Sequence, residues 1–322
     1  MERAERELFG GAVRHATDAH PGDARALDGA LAELGWHDAL AAEPRLAVSV
    51  LFECQGAANA TSGALGEVVR GALGLGDAGA PGAVVLPALG RADAPGRLGA
   101  GLSVRGLGAS ALGASATALV VADAGGADAA VTVGTGALVL RPVEGMDPWL
   151  GLVAVSGETH GAEEPQPLAP GSWAAAVDRA RLALGHELVG AAGAMLELAR
   201  AHALEREQFG RPIAAFQAVR HRLADTLVAI EGARALLEAA WDDGSAATAA
   251  MAKATAGRAA RTAARHCQQV LAGMGFTTEH PLHRYVRRVL VLDELFGSAR
   301  VLTRDLGRDL VAGGVLPAPI PL

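Results

Sequence analysis

Hydrophobic positions in residues 1–73 fall at helical intervals, interrupted by short polar breaks. AERELFGGAVRH, DARALDGALAELGWHDAL and LAVSVLFECQGAANATSGALGEVVRGAL read as helical stretches. In the second, Ala26, Leu27, Ala30, Leu31 and Leu34 recur on one face and Gly35 supplies a stop. From about residue 82 to 156 the period changes. AVVLPAL, LSVRGL, TALVVAD, AAVTVGT, ALVLRPV and LGLVAVS are short β-rich runs between glycine and aspartate turns. Runs this close together leave no room for intervening helices, and predict a small antiparallel sheet or barrel instead of a parallel nucleotide-binding sheet.

Residues 157–172, GETHGAEEPQPLAPGS, are rich in proline and glycine and read as a linker. Beyond it the pattern predicts long helices over 172–204, 213–241, 245–272 and 282–312, broken at FGRP, DDGS and AGMGFTTEHP. Pro212 and Pro281 fall where helices would start, where a missing N–H costs nothing. Long helices with short connections describe an antiparallel bundle. The expected fold class is therefore α+β: a helical N-terminal domain (1–80), a middle β-barrel-like domain (81–160) and a C-terminal four-helix bundle (161–322).

Composition narrows the function. The 322 residues are 51% hydrophobic, enough for a large core, and the formal net charge of -7 disfavours nucleic acid as a partner. Cys54 and Cys267 lie far apart without metal-ligand spacing, as expected of small buried hydrophobes in a reducing compartment. The bundle helices carry no E-x-x-H pair, so no metal centre is expected. The first residues contain no uninterrupted apolar region and no stretch reads as a membrane span, which makes the cytoplasm the expected compartment. Gly-x-Gly combinations in GALGLGDAG and VRGLGASALG lack a strand-turn-helix context, and 42 glycines produce such matches by chance.

One stretch departs from the alanine-, glycine- and leucine-rich background: ALEREQFGRPIAAFQAVRHRLADTL, residues 203–227. Its R-E-Q-F-G-R-P-I and F-Q-A-V-R-H-R-L-A-D segments resemble the signature of the acyl-CoA dehydrogenase family. QVLAGMGFTTEHPLHRYVRR, residues 269–288, resembles the family's Q-V-x-G-G-x-G-F-x-x-E-x-P segment, with Ala272 in place of the first glycine. LAELGWHDAL, with Glu33 to Trp36 at its centre, resembles the entry to the family's N-terminal helical domain. The resemblance implies FAD as cofactor, shared across a subunit boundary, with Arg206, Phe209, Gln217, Gln269, Gly273 and Gly275 as its contacts. Arginine offers a fixed fork of donors for pyrophosphate, phenylalanine a flat surface, and glycine a backbone open to close approach. His221 reads as a packed or surface histidine, and His280, in the loop beside Glu279, as a candidate to line the adenosine side, though neither is taken as a site residue.

The family's reaction removes the acyl α-proton with a glutamate while flavin takes the β-hydride. Aligned through Arg287, Gly297 and Ser298 match the end of the family's base-bearing stretch, and Phe296 stands where the glutamate belongs. The alternative family position, on the helix before the 203–227 stretch, is Ala180, next to Arg181. Neither side chain can accept a proton. Glu294 is the remaining candidate base, but on a continuous helix it would point away from the side Phe296 faces. No Y-x-x-T-E-P-x-A-G-S-D-like segment occurs between residues 57 and 110.

These departures fit the FAD-site-completing, non-catalytic partner in a heteromeric enzyme resembling the α2β2 steroid-type acyl-CoA dehydrogenases. Its partners would be a second acyl-CoA dehydrogenase-like subunit, an acyl-CoA substrate bound by the complex and an electron-accepting flavoprotein. The alternatives are a self-sufficient homo-oligomeric flavoenzyme with a displaced base, and a flavin-free structural or binding protein of the same fold.

Overall fold

A computed structural model describes residues 3–75 and 83–313. Its N-terminal part is helical: α1 (Arg3–Ala19), α2 (Ala24–Glu33), α3 (Trp36–Ala42), α4 (Pro44–Ala58) and α5 (Ala64–Ala72). The Asp23 carboxylate accepts from the Ala26 N–H and caps α2. Gly35, at φ 73°, makes the turn into α3. Two helices thus replace the single stretch expected over DARALDGALAELGWHDAL. Trp36 is fully buried, and its indole N–H donates to the Ala47 carbonyl at 3.0 Å, tying α3 to α4.

The middle part is a nine-stranded sheet: β1 (Ala83–Val84), β2 (Leu86–Pro87), β3 (Gly96–Leu98), β4 (Leu102–Gly108), β5 (Thr117–Asp123), β6 (Asp128–Gly134), β7 (Val139–Pro142), β8 (Val153–Thr159) and β9 (Gln166–Pro167). Its main path runs β7-β8-β4-β3-β5-β6-β9. The antiparallel expectation holds for most pairs and fails at β5, which pairs in parallel with both β1 and β3. The reason is topological. Residues 83–98 lie between β4 and β5, with β1 and β2 toward one end and β3 toward the other. Residues 157–172, expected as a linker, carry the end of β8 and all of β9, which pairs with β6. Val85, Leu102, Val104, Val120, Val131 and Val155 give this sheet a core of its own.

The C-terminal helices are α6 (Ser172–Glu205), α7 (Gln217–Asp243), α8 (Ala246–Leu271), α9 (Leu282–Glu294) and α10 (Ala299–Gly313). Helix α6 is long and apolar enough to cross a membrane by length and composition, yet 78% of its apolar window is buried inside the fold. It lies against α4, α5, α7, α8 and α9 and is the central element of the core. Helix α7 begins later than expected: Pro212 closes a short hairpin, β10 (Glu207–Gln208) with β11 (Arg211–Pro212), and a single 3-10 turn over Ile213–Ala215 precedes Gln217. Pro281 caps α9 as anticipated.

The continuous helix expected over 282–312 is broken. Leu295 is extended, and Phe296 and Gly297 have φ of 55° and 98°. The freed groups are satisfied from within the core, as burial requires. The Lys253 ammonium donates to the Asp293 carbonyl at 2.7 Å and to the Gly297 carbonyl at 2.8 Å, while the Asp293 carboxylate accepts from the Ala299 N–H at 3.0 Å and caps α10. A buried lysine on α8 thus organises a break in another helix.

Candidate functional site

The 203–227 stretch forms a projecting edge. Helix α6 ends as Arg206 turns extended (φ -76°, ψ 116°), and the Arg206 carbonyl accepts from the Ile213 N–H at 2.8 Å, closing the base of the β10–β11 hairpin. Phe209 and Gly210 form its tip with φ of 55° and 74°, the positive values a tight hairpin turn demands. The Phe209 side chain is 92% exposed. It meets Phe216 edge-on with centroids 6.1 Å apart, and the Arg211 guanidinium lies 4.4 Å above the Phe216 ring. Gln217 is exposed at the first position of α7, and the Arg206 guanidinium has no hydrogen bond or ion pair among the described residues. An exposed aromatic in a costly backbone conformation is unsatisfied by its own chain.

The second motif lies at the same end of the bundle, since His280 and His202 interact electrostatically. Gln269 is exposed in the last turn of α8. Ala272 has φ 50° and ψ -129°, a conformation that favours glycine. A Cβ at Gly273 would meet open space, whereas one at Gly275 would stand 2.8 Å from the Gln268 carbonyl oxygen. Gly273 is therefore open to an outside group, and Gly275 is required by the fold of the turn. Phe276 and Met274 are exposed beside them. Burial lowers the pKa of His280, and His221 is exposed.

At the position where the family's base is expected, Phe296 is buried, and its carbonyl accepts from the Arg181 Nε at 3.2 Å. Ala180 is fully buried on α6. Glu294 lies before the helix break, so the break does not reorient it. Its half-exposed carboxylate stands 3.7 Å from Arg261, and it lines a surface groove with Arg258, Arg300 and Arg304. The neighbouring Leu292 and Leu295 instead line a separate cavity of about 320 Å³ between α2, α4, α5, α6, α9 and the sheet.

That cavity holds a residue the sequence reasoning missed. Glu187 is 2% exposed on α6, and burial pushes its carboxyl up to about 7 against the favourable Arg288 charge. Its Oε1 has no hydrogen-bond partner and lies 3.9 Å from the Arg288 guanidinium, beyond hydrogen-bonding reach. Arg288 is occupied elsewhere: by Asp147 at 2.5 Å, the Ala60 carbonyl at 2.6 Å and the Thr61 hydroxyl at 3.2 Å. The available signal was a glutamate inside the otherwise apolar run LALGHELVGAAGAML, where an ionisable group is rarely placed without a use. Among the described residues no cluster of His, Cys, Asp and Glu could hold a metal ion.

Residues 173–311 match the family description "Acyl-CoA dehydrogenase, C-terminal domain". The chain is 37% identical over 170 residues to acyl-CoA dehydrogenase IpdE2 of Mycobacterium tuberculosis, covering 53% of this chain and 51% of that protein. It is 42% identical over 135 residues to acyl-CoA dehydrogenase FadE34 of the same organism, covering 39% of this chain and 19% of that one. The match thus spans about half the length of the first relative and less of the second. Among solved structures, a Tcur3481-Tcur3483 steroid ACAD variant superposes with a TM-score of 0.81 at 24% identity, over 97% of this chain and 98% of that one. A chain of the ChsE4-ChsE5 complex from Mycobacterium tuberculosis does so with a TM-score of 0.75 at 23% identity, over 99% of both chains. A glutaryl-CoA dehydrogenase from Mycobacterium smegmatis in complex with FADH2 gives a TM-score of 0.74 at 16% identity, over 98% and 97%. At these identities the likeness establishes the fold.

Proposed function

We propose, from the premise that this chain belongs to the acyl-CoA dehydrogenase family, that it is the subunit of a heteromeric acyl-CoA dehydrogenase that completes an FAD site without supplying the α-proton base. The observation that carries this reading is the contrast between two phenylalanines. Phe209 stands exposed and strained at a hairpin tip, while Phe296 fills with buried ring carbon the position where the family's base is expected.

The residues present fit FAD. Arg206 has an unengaged fork of donors, Phe209 offers a ring face, Gln217 and Gln269 expose amides, and Gly273 leaves its backbone open. All of them point out of this chain's own core, as contacts to a cofactor shared with a neighbouring subunit would. Gly275 supports the turn that presents Gly273. Bound FAD would supply the hydride acceptor, and this chain's part is binding and exclusion of water. A second acyl-CoA dehydrogenase-like subunit would bring the carboxylate, and an electron-accepting flavoprotein would take the electrons onward. The likeness to a steroid ACAD and to a two-protein complex supports a heteromer acting on an acyl-CoA thioester with a bulky steroid-like acyl group; the α2β2 form and the cytoplasm as its place of action are part of the same proposal.

Expression alone and with the product of an adjacent acyl-CoA dehydrogenase-like gene tests the reading. Flavin-bound material that reduces its flavin on acyl-CoA is expected only from co-expression. An active, flavin-bound homo-oligomer of this chain would overturn it in favour of a self-sufficient enzyme, and absence of flavin from both preparations would favour a binding protein.

A further inference from the structure

A second cavity, of about 460 Å³, opens between α3, the start of α4, α5 and Arg179 on α6. It shares only His37 and Glu67 with the cavity that Leu292 and Leu295 line, and none of its walls comes from the 206–217 edge or the break at Phe296. Leu40, Ala41, Pro44, Val68 and Ala72 give it apolar surface. Its charged groups do not balance. Arg70 is 4% exposed, and its Nε lies 3.7 Å from the Glu67 carboxylate, so these two charges offset each other. Asp38 is exposed, where water screens its charge. That leaves Arg179. It is half-buried, and desolvation alone lowers its pKa, with no carboxylate countering the shift. Its guanidinium makes no hydrogen bond or ion pair among the described residues and stands over the Trp241 ring, 4.4 Å from the centroid. A ring contact of this kind holds the group in place but saturates none of its five N–H donors.

We propose that this cavity binds a monocarboxylate with a short apolar body, its carboxylate held by the Arg179 guanidinium. A cation that has lost part of its hydration, and that no acid of its own chain meets, gains most from an anion in the adjoining volume. The fixed fork of donors matches the two oxygens of a carboxylate, and the leucine, valine and alanine walls take the apolar body. The charge balance selects against other ligands. A dianionic phosphate ester would set its second charge against Glu67 and Asp38, which line the same cavity, and a neutral compound would leave the Arg179 charge unanswered. The site concerns this chain alone and stands whether or not a partner subunit completes a flavin site.

Calorimetric titration of the full chain with benzoate, benzamide and phenyl phosphate tests it. Benzoate is expected to bind about tenfold tighter than benzamide, which has the same ring and shape without the charge, and tighter than phenyl phosphate. Arg179→Gln should remove the preference for benzoate over benzamide, whereas Arg300→Gln, at an exposed arginine on α10 outside this cavity, should leave it unchanged. Benzoate should also change the tryptophan fluorescence by drawing the guanidinium away from the Trp241 ring. That change is expected to vanish in Trp241→Phe while the affinity stays within about twofold. Equal affinities for benzoate and benzamide, no binding of benzoate, or an equal loss in Arg179→Gln and Arg300→Gln would overturn the proposal. Tighter binding of phenyl phosphate would overturn it in favour of a phosphate site. The comparison of the three probes on the unaltered chain decides the matter even if Arg179→Gln fails to fold.

Discussion

Gly56 on α4 and Gly190 on α6 meet at one helix crossing, each facing the other helix's backbone: Gly56 the Glu187 carbonyl, Gly190 the Glu53 carbonyl. A Cβ at either position would collide with main-chain atoms, which cannot swing aside as a side chain can. This crossing holds the turn of α6 that carries Glu187 against α4. Gly56→Ala should therefore destabilise by about 2–3 kcal/mol and lower the melting temperature in thermal denaturation. Gly29→Ala, in exposed α2 where nothing lies near the new methyl, should raise it slightly, by about 0.5–1 kcal/mol.

At the end of α8 the sign reverses. Ala272 holds φ 50° with ψ -129°, at a cost of about 1–3 kcal/mol. Ala272→Gly should stabilise the chain by about 1 kcal/mol in denaturant titration, with no loss of flavin retention in the complex.

Phe209 separates stability from binding. Asparagine accepts positive φ more readily than phenylalanine, and the ring makes only the edge contact with Phe216 within the chain. Phe209→Asn should leave the free chain as stable or slightly more so, while flavin retention in the co-purified complex falls about threefold to tenfold, read from flavin absorbance after gel filtration. Arg206→Ala should lower retention in the same assay. Retention unchanged in both variants would remove these residues from the cofactor site.

The buried Glu187 carboxyl carries a pH signature. Its folded pKa, about 7, lies above the ordinary value of 4.5, so the folded chain holds this proton more tightly than the unfolded one. That contribution is fully present below about pH 4.5, declines as pH rises, and is gone above about pH 7, a change of a few kcal/mol. Glu187→Gln should flatten this part of the stability-pH profile and leave the variant more stable than the parent at about pH 8.

Much of the layout was legible along the chain. The switch from helical to alternating periodicity near residue 82, and back near 172, follows from which faces must be buried, and that pattern is local. The Arg206–Gln217 and Gln269–Gly275 stretches were legible because polar and aromatic residues stand out in an alanine-rich background. The break at Phe296 was not. Helical periodicity continues through LVLDELFGSARVL, and what favours the break is Lys253, forty residues upstream, donating to Asp293 and Gly297. The parallel pairing of β5 with β1 and β3 was equally hidden, because β-run spacing says nothing about which strands share an edge.

By itself, then, the sequence determined the order of helical and β segments, the motifs that resemble the acyl-CoA dehydrogenase signature, and the absence of a carboxylate at Phe296 and Ala180, where that resemblance leads one to expect a base. These depend on residue identity and spacing, which a linear reading contains. Only the tertiary structure decided that Phe209 is presented and Phe296 enclosed, that Glu294 lines the outer groove, and that Glu187 has one oxygen unpaired beside a cavity. Each of these is a matter of burial and partnership between residues remote in the chain, and desolvation acts on where a group ends up, not on its place in the sequence.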